Sequence, residues 1–255
     1  MTNNRKIIAV MPAYNSAKTI EMSVKAIPPE VIDEIILVDD GSIDDTSAVG
    51  KHMGLVTLRH EKNLGYGAAQ KTGFTEALKR GATAAVLVHS DFQYDPTLIP
   101  KMIQPIINGS ADACFGSRMV VKKDALKGGM PLWRFVANRF LSIIEESVLK
   151  LGLSEYHTGY RAYSRKALLA IPFIKNYDRY AFDTEMLAQL SMGKFKVAEI
   201  SIPTRYREES QSLSFWRGVQ YGSATLIVMF KYLLHRWGLK SYPQFIINHS
   251  CYAQQ

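Results

Sequence analysis

The chain has 255 residues, 47% of them hydrophobic, and this content excludes a disordered chain and favours one large α/β domain. The 31 basic and 23 acidic residues give a net charge of +8, which suits phosphorylated ligands, nucleic acid or an anionic membrane surface without choosing among them. The two cysteines, Cys114 and Cys251, lie far apart without metal-ligand spacing, which excludes a disulfide framework and predicts a reducing compartment.

The N-terminus carries no apolar signal region, because Met1 to Lys6 is polar and leads directly into a predicted strand. The longest apolar run near the C-terminus, Ala224 to Phe230, is far shorter than the ~20 residues needed to span a bilayer. We therefore expect a cytoplasmic protein that can touch a membrane surface without crossing it.

Five short apolar segments predict buried strands, and helical segments separate them. Because strands and helices alternate, the sequence predicts a doubly wound, mostly parallel sheet. The predicted strands are 7–11, 35–38, 56–58, 84–88 and 111–115.

The fourth predicted strand stops abruptly at a cluster of polar side chains. In a locally extended loop, His89, Asp91 and Gln93 alternate and project to one side, where they can converge on a divalent cation. Ligands of open α/β sheets collect at such carboxyl ends. The alternative is a turn that starts a helix, because Asp95 and Pro96 form a good N-cap and first-turn pair. The two interpretations are compatible.

An acidic loop, 39–46, follows the second predicted strand. Its carboxylates suit donors such as ribose hydroxyls or a base N–H, and not phosphates. The alternative is an Asp-Gly turn with a solvated capping box. After the fifth strand, Arg118 is either a phosphate clamp or an ordinary ion-pair partner of an Asp.

The second half of the chain begins with a long predicted helix, 131–151, whose apolar side chains we interpret as core. Residues 157–164 form a polar and aromatic loop or strand, and a further strand is predicted at 197–202. Asp183 and Glu185 begin a helix between them, where first-turn acids often serve only the helix dipole.

In the C-terminal region, apolar residues at helical spacing with basic residues beside them predict an amphipathic helix. Such a helix can lie in a membrane interface, with 131–151 forming the other wall of a groove open to lipid. The alternative is that both helices pack on the sheet or on a second subunit. The apolar stripe consists of Leu226, Phe230, Leu233 and Trp237, and the basic residues are Lys231, His235 and Arg236.

Seven short motifs follow one another in order along the chain. They are Met11-Pro12-Ala13-Tyr14-Asn15, Val38-Asp39-Asp40-Gly41-Ser42, Asn63-Leu64-Gly65, His89-Ser90-Asp91-Phe92-Gln93-Tyr94-Asp95-Pro96, Gly116-Ser117-Arg118, Gly159-Tyr160-Arg161-Ala162-Tyr163 and Phe182-Asp183-Thr184-Glu185. In this order and at these intervals, they resemble family 2 glycosyltransferases with the GT-A fold, in particular the dolichyl- and polyprenyl-phosphate sugar synthase branch. The resemblance covers residues 7 to 239. It implies an α/β protein with a Rossmann-like nucleotide-binding half and a C-terminal helical region on the acceptor side.

The resemblance also implies roles for individual residues. Asp183 is the expected catalytic base, with Glu185 second, and Asp91 is expected to act through a metal ion. The nucleotide pocket would be lined by Pro12, Tyr14, Asp40 and Asp44; the diphosphate and metal would face Ser90, Asp91 and Gln93; Arg118 and Arg205 would lie near the diphosphate or the acceptor.

Two positions depart from the family pattern. His89 stands where relatives carry the first acid of an Asp-x-Asp motif, and Ser16 stands where they often carry Glu. Because Mn²⁺ accepts imidazole more readily than Mg²⁺, either His89 shifts the metal preference or coordination rests on Asp91 and Gln93.

The implied function is inverting transfer of a sugar from a nucleoside diphosphate sugar to a polyprenyl or dolichyl phosphate, or to a glycan acceptor near a membrane. A divalent cation, Mg²⁺ or Mn²⁺, is the expected cofactor, nucleic acid is not an expected partner, and a homo-oligomer is left open. Residues 1–210 would form the glycosyltransferase domain, with a nucleotide-sugar half at 1–118 and an acceptor half at 119–210. Residues 211–255 would form an amphipathic helical extension.

Two other functions share some of these sequence features. A sugar-1-phosphate nucleotidyltransferase would also use an α/β sheet and a metal carboxylate, but no Gly-rich basic loop follows the first strand to hold a triphosphate. A catalytically inactive nucleotide-sugar-binding module is suggested by His89.

Overall fold

The computed structural model describes residues 5–121, 130–203 and 215–249. Within them, seven strands form one sheet in the order β3-β2-β1-β4-β6-β5-β7. Four of the six strand pairs are parallel, so the predicted mostly parallel sheet is confirmed. The strands are β1 Ile7–Ala13, β2 Glu34–Asp39, β3 Val56–Arg59, β4 Ala84–Leu87, β5 Ala113–Ser117, β6 Arg161–Ser164 and β7 Val197–Ser201.

Helices cover both faces of the sheet, as expected for a doubly wound fold. Two groups of buried apolar side chains, one on each face, form the core. The close approach of α3 to β1 depends on Gly73, because a Cβ at this position would lie 2.3 Å from Val10 Cγ1. The helices are α1 Ile20–Lys25, α2 Thr46–His52, α3 Tyr66–Lys79, α4 Ile99–Ile107, α5 Leu132–Leu149, α6 Arg165–Ala170, α7 Ala181–Met192 and α8 Phe215–Arg236. Short 3₁₀ turns occupy Pro96–Leu98, Phe173–Lys175 and Pro243–Phe245.

The strand β6 runs antiparallel to both of its neighbours, β4 and β5. Its first residue, Arg161, is fully buried, and the sequence left this segment between loop and strand. Because β6 is antiparallel, its beginning lies at the same edge of the sheet as the carboxyl ends of the parallel strands.

The long helix α5 is turned the opposite way from the sequence interpretation. Most side chains of its predicted apolar face are exposed, at 61% for Phe140 and 58% for Ile143, while Phe135 and Ile144 are half-buried. On the buried side lie Ser142 and Glu145. The interpretation of this apolar face as core of the same chain is therefore wrong.

The helix α8 packs on α5 and α7 through one face only. Val228, Met229 and Tyr232 are buried in the core. Of the predicted apolar stripe, Leu226, Phe230 and Trp237 are exposed, while Leu233 packs against the core. Among the described residues, no helix combines the length and apolarity needed to cross a membrane.

Candidate active site

Three loops meet at the carboxyl ends of β1, β2 and β4. The amide of Ser16 donates to Thr46 Oγ1 at 2.8 Å, and the amide of Ala17 donates to Asp44 Oδ2 at 3.0 Å. Ser90 Oγ donates to Ser16 Oγ at 2.9 Å. The predicted residues Asp44 and Ser90 thus contact the same short segment after β1.

The acidic loop uses its carboxylates mainly to hold backbone. Asp40 accepts from the amides of Leu64 and Gly65 at 2.9 and 2.8 Å and contacts His60 Nδ1 at 2.7 Å. Burial raises the pKa of Asp44, but hydrogen bonds from Thr46 and Ala17 outweigh it and hold the pKa below its ordinary value. These acids therefore fix the loops around the candidate nucleotide pocket.

The two predicted pocket residues of β1 and its loop differ in exposure. Pro12 is buried within the strand. Tyr14, just beyond the strand, is 41% exposed. An exposed aromatic ring at this edge of the sheet is available for stacking on a nucleotide base.

His89 is enclosed by aromatic groups and backbone. Its Nε2 lies 3.1 Å from Tyr66 Oη and 3.2 Å from the carbonyl oxygen of Gly159. Its ring also packs edge-on against Tyr94. A Cβ at Gly159 would lie 2.4 Å from His89 Nε2, so only glycine fits beside this imidazole.

The loop after β4 is not extended as expected. Phe92 has a φ of 57°, in the left-handed region, and Asp91 Oδ1 accepts from the amide of Gln93 at 3.0 Å. The regular alternation of side chains is therefore broken between Asp91 and Gln93.

The residues that the structure describes contain no group of three or more His, Cys, Asp or Glu side chains placed to hold a metal ion. Asp91 nevertheless fits a cation that a substrate shares. Its Oδ1 is engaged by the loop, and its Oδ2 makes no hydrogen bond within the described residues. Mg²⁺ is often held by one or two carboxylates together with substrate phosphates and water, and this arrangement suits a single available oxygen.

Asp183, at the start of α7, lies beside polar groups from α3 and β6. Gln70 Nε2 donates to its Oδ1 at 3.1 Å, and Arg161 Nη1 lies 3.7 Å from the same oxygen. Burial and the charge of Asp183 raise the pKa of the nearby Tyr66 well above its ordinary value. Tyr66 contacts His89, and Gln70, one turn later on α3, donates to Asp183.

Glu185 faces different neighbours from Asp183. It is fully buried, its Oε2 accepts from the amide of Tyr177 at 2.6 Å, and its Oε1 has no hydrogen-bond partner among the residues that the structure describes. Burial raises the pKa of Glu185 above its ordinary value. The two acids that the sequence grouped as base candidates therefore occupy separate environments.

The raised pKa of Glu185 predicts a pH-dependent stability. Its favourable contribution is fully present below the ordinary carboxyl value of 4.5 and is lost as pH rises through the folded-state pKa. Relative to wild type, Glu185→Gln should therefore gain unfolding free energy between pH 4.5 and pH 8, measured by urea unfolding. Glu61→Gln, at an exposed position, is the control and should show no such trend. A wild type that gains stability over Glu185→Gln with rising pH would contradict this assignment.

Arg118 is engaged by an acid that the sequence reasoning missed. Its Nε donates to Glu155 Oε1 at 3.0 Å and its amide donates to Glu155 Oε2 at 2.7 Å. Burial raises the pKa of Glu155, but the charge and hydrogen bonds of Arg118 lower it below the ordinary value. The ion-pair alternative for Arg118 is thus the one observed, and Arg205 lies outside the described residues.

The reasoning from sequence also missed Tyr66 and Gln70. Both lie on the first two turns of α3, and their polar atoms reach His89 and Asp183. The signal was weak, because a Tyr and a Gln at the start of a helix have no distinctive spacing. Arg161 was included in a motif but was given no role.

Comparison with known proteins identifies the family of the chain. The model of the family described as "Glycosyl transferase family 2" matches residues 8–171. The UDP-N-acetylglucosamine–dolichyl-phosphate N-acetylglucosaminyltransferase of Methanococcus voltae is 32% identical, with coverage of 82% of this chain and 89% of that protein. The polyprenol monophosphomannose synthase of Mycolicibacterium smegmatis is 26% identical, with coverage of 92% and 88%.

The fold matches that of solved enzymes. Glucosyl-3-phosphoglycerate synthase from Mycobacterium tuberculosis, in complex with Mn²⁺, UDP and phosphoglyceric acid, aligns with a TM-score of 0.70 at 21% identity, covering 93% of this chain and 80% of that one. Its complex with Mg²⁺ and UDP aligns with a TM-score of 0.66 at 20% identity, covering 93% and 81%. The GT-A fold expected from the resemblance is thereby confirmed. With a family model matched over more than half of its length, the chain belongs to glycosyl transferase family 2.

Proposed function

We propose that this enzyme transfers a sugar, with inversion, from a nucleoside diphosphate sugar to a polyprenyl or dolichyl phosphate at a membrane surface. The observation that carries the proposal is the contact between the candidate catalytic helix and a helix with an exposed apolar face. Thr184 Oγ1, next to Asp183 on α7, lies 3.4 Å from Thr225 Oγ1 on α8. Leu226 and Ile227 follow on α8 and are exposed. An isoprenoid chain lying on this face would rest on the helix that packs against α7, which carries Asp183.

The helix α5 extends this apolar face. It contacts α8, and its outer side chains are exposed instead of packing in the core. Contiguous exposed apolar side chains on a folded protein mark a binding surface. The surface, here called the apolar face, consists of Leu132, Trp133, Val136, Phe140 and Ile143 on α5 and of Trp216, Val219, Leu226, Ile227 and Phe230 on α8.

On the donor side, Tyr14 offers an exposed ring for the base, and the loop after β4 offers Asp91. The relatives named above use UDP-N-acetylglucosamine or form polyprenol monophosphomannose, and this supports a nucleotide-sugar donor. We assign residues 1–210 to the glycosyltransferase domain and 211–255 to a C-terminal helical part on the acceptor side.

In the proposed reaction, only a few side chains have a direct role. A divalent cation held by Asp91 and the diphosphate would neutralise the leaving group, with Gln93 as a further oxygen ligand. His89 would remain a packing residue, because its Nε2 is already shared between Tyr66 and Gly159. Asp183 would orient the acceptor or accept a proton from it. A phosphate acceptor is already anionic and needs little help from a base.

Transfer is tested directly with purified protein, polyprenyl phosphate in detergent, and a panel of UDP-, GDP- and dTDP-sugars with Mn²⁺ or Mg²⁺. We expect one or a few donors to yield a polyprenyl-phosphate sugar, detected by mass spectrometry. Pyrophosphate exchange would instead indicate a nucleotidyltransferase. Binding of UDP without turnover of any donor would indicate an inactive binding module.

The apolar face also predicts peripheral membrane binding. Sedimentation with liposomes should show binding that rises with anionic lipid and falls with salt, since each nearby Lys or Arg contributes about 1 kcal/mol of attraction. Changing both Phe140 and Phe230 to Ser should weaken binding about ten-fold, because both rings lose their contact with lipid. Ile174→Ser, an exposed apolar change elsewhere, is the control.

Two outcomes would count against membrane binding. Protein that stays in the supernatant at every lipid composition would contradict the prediction. If the same double variant also converts a dimer to a monomer, the apolar face is an interface between two copies of the chain.

A further inference from the structure

Three side chains from three different elements meet behind the apolar face. His157, in the loop before β6, has Nδ1 2.9 Å from Tyr221 Oη on α8 and Nε2 3.0 Å from Glu145 Oε2 on α5. Glu145 is fully buried, and the side chain of His157 is 9% exposed. This Glu145–His157–Tyr221 cluster has no assigned role in the reaction described above.

The ring nitrogens of His157 determine which groups of the cluster donate and which accept a hydrogen bond. A neutral imidazole protonated on Nε2 presents that N–H to the carboxylate of Glu145 and accepts the Tyr221 hydroxyl proton on Nδ1. The Nε2 contact is close, but Oε2 lies off the N–H axis, so it is electrostatic and not a well-aligned hydrogen bond. Glu145 has no hydrogen-bond partner for either oxygen within the described residues, and its Oε2 lies 3.0 Å from His157 Nε2.

The cluster also reaches the candidate active site. The carbonyl oxygen of His157 accepts from Arg118 Nη2 at 3.4 Å. Burial first, and then the charges of Glu145 and Asp183, raise the pKa of Tyr221 above its ordinary value. One histidine thus joins α5, α8 and the loop that carries Glu155, the partner of Arg118.

We propose that His157 is a positioning residue that fixes α5 and α8, and with them the apolar face, in register with the reacting centre. The proposal deepens the proposed function and rests on it, because it concerns the lipid phosphate acceptor. A binding surface formed by two helices binds its ligand more tightly when the helices are already held in place, because ordering them on binding costs affinity. Removing a contact of the cluster should therefore raise KM for the lipid phosphate acceptor and leave the affinity for the nucleotide donor unchanged.

Tyr221→Phe is the sharpest test, because it removes one hydroxyl and keeps the ring. We expect KM for the isoprenoid acceptor citronellyl phosphate to rise about five-fold, the equivalent of one ordinary hydrogen bond. The Kd of UDP with Mn²⁺, measured by calorimetry, should stay within about two-fold of wild type. Tyr232→Phe is the matched control, because Tyr232 also lies on α8 and its hydroxyl contacts Ser191 at 2.8 Å, away from the cluster. It should leave KM for the acceptor unchanged.

A double-mutant cycle separates positioning from general loosening. His157→Phe should raise KM for the acceptor, and adding Tyr221→Phe should produce no further rise, because both changes break the same contact. His157→Asn should restore part of the affinity, since its amide can replace Nδ1 as the partner of Tyr221. If Tyr221→Phe behaves like Tyr232→Phe, or if UDP binding weakens as much as acceptor use, the proposal is wrong. If wild type transfers no sugar to citronellyl or polyprenyl phosphate, the proposed function fails first and the proposal falls with it.

Discussion

Asp91→Ala is expected to lower the rate of sugar transfer by at least about a hundred-fold and to leave the fold intact. Asp91 lies in a half-buried surface loop, where one oxygen holds the amide of Gln93 and the other is available to a cation. Without this carboxylate, the negative charge that develops on the departing diphosphate is poorly neutralised. The measurement is an initial rate at saturating donor and metal, together with a thermal unfolding curve.

Asp91→Asn is the matched control for loop geometry. The amide oxygen of Asn can still accept from Gln93, whereas the negative charge is lost. We expect Asn and Ala to be similarly inactive. Normal turnover of either variant in excess chelator would show that transfer does not depend on a cation at Asp91. An active Asn variant beside an inactive Ala variant would assign Asp91 to loop geometry alone.

Arg161→Met is expected to reduce the free energy of unfolding by about 3–5 kcal/mol, a large part of the stability of an ordinary domain. Arg161 is fully buried and donates to the carbonyl oxygens of Thr158, Tyr156 and Asp183 at 2.7, 3.2 and 2.9 Å. Burial lowers the pKa of Arg161, but the charge of Asp183 raises it above the ordinary value, so the guanidinium stays charged. Methionine fills the volume but leaves the three carbonyls and the carboxylate without this donor.

Arg165→Met is the control for Arg161→Met. Arg165 also donates to backbone carbonyls, those of Leu78 at 2.9 Å and Ala82 at 3.4 Å, but it is only half-buried. Water can replace its bonds, so a loss of about 1 kcal/mol is expected. The free energy of unfolding of both variants is measured by chemical denaturation. Equal losses would mean that the buried network around Arg161 adds no stability beyond that of a half-buried arginine.

The parts of the fold that local sequence patterns encode were predicted well. Continuous apolar segments located β1 to β5 and β7 within one to two residues, because a strand buried on both faces has a strong local signature. The antiparallel β6 lacked that signature. It has only four residues and begins with Arg161, a residue type that is rarely buried, and its burial depends on partners in α7 and in the preceding loop.

The helix α5 shows the limit of reasoning from apolar periodicity. A stripe of apolar residues marks a face that avoids water, but it does not say whether that face meets the core, a lipid or another subunit. In α5 the buried side includes Ser142 and Glu145, which contact Tyr156 and His157 in the loop that follows the helix. No local pattern predicts such a polar contact.

The candidate site was predicted unevenly for similar reasons. The convergence of the loops that carry Asp44 and Ser90 follows from parallel strand topology, which the sequence indicated. The pairing of Arg118 with Glu155 joins positions 37 residues apart, and the sequence offered several acids as partners. The separation of Asp183 from Glu185 could have been predicted, because residues two apart on a helix do not share a face.

The position of β6 between β4 and β5 determines the order in which the sheet is completed during synthesis. Four strands, β3, β2, β1 and β4, lie within residues 7–87 and pair with one another without any later part of the chain. The strand β5 pairs with none of them. It can join them in one sheet only after β6, which begins at residue 161, has been synthesised. While the ribosome adds the intervening residues, β4 and β5 each present open edges of the kind that promote intermolecular pairing. A nascent or truncated chain that ends before residue 161 is therefore the form of this protein most exposed to aggregation.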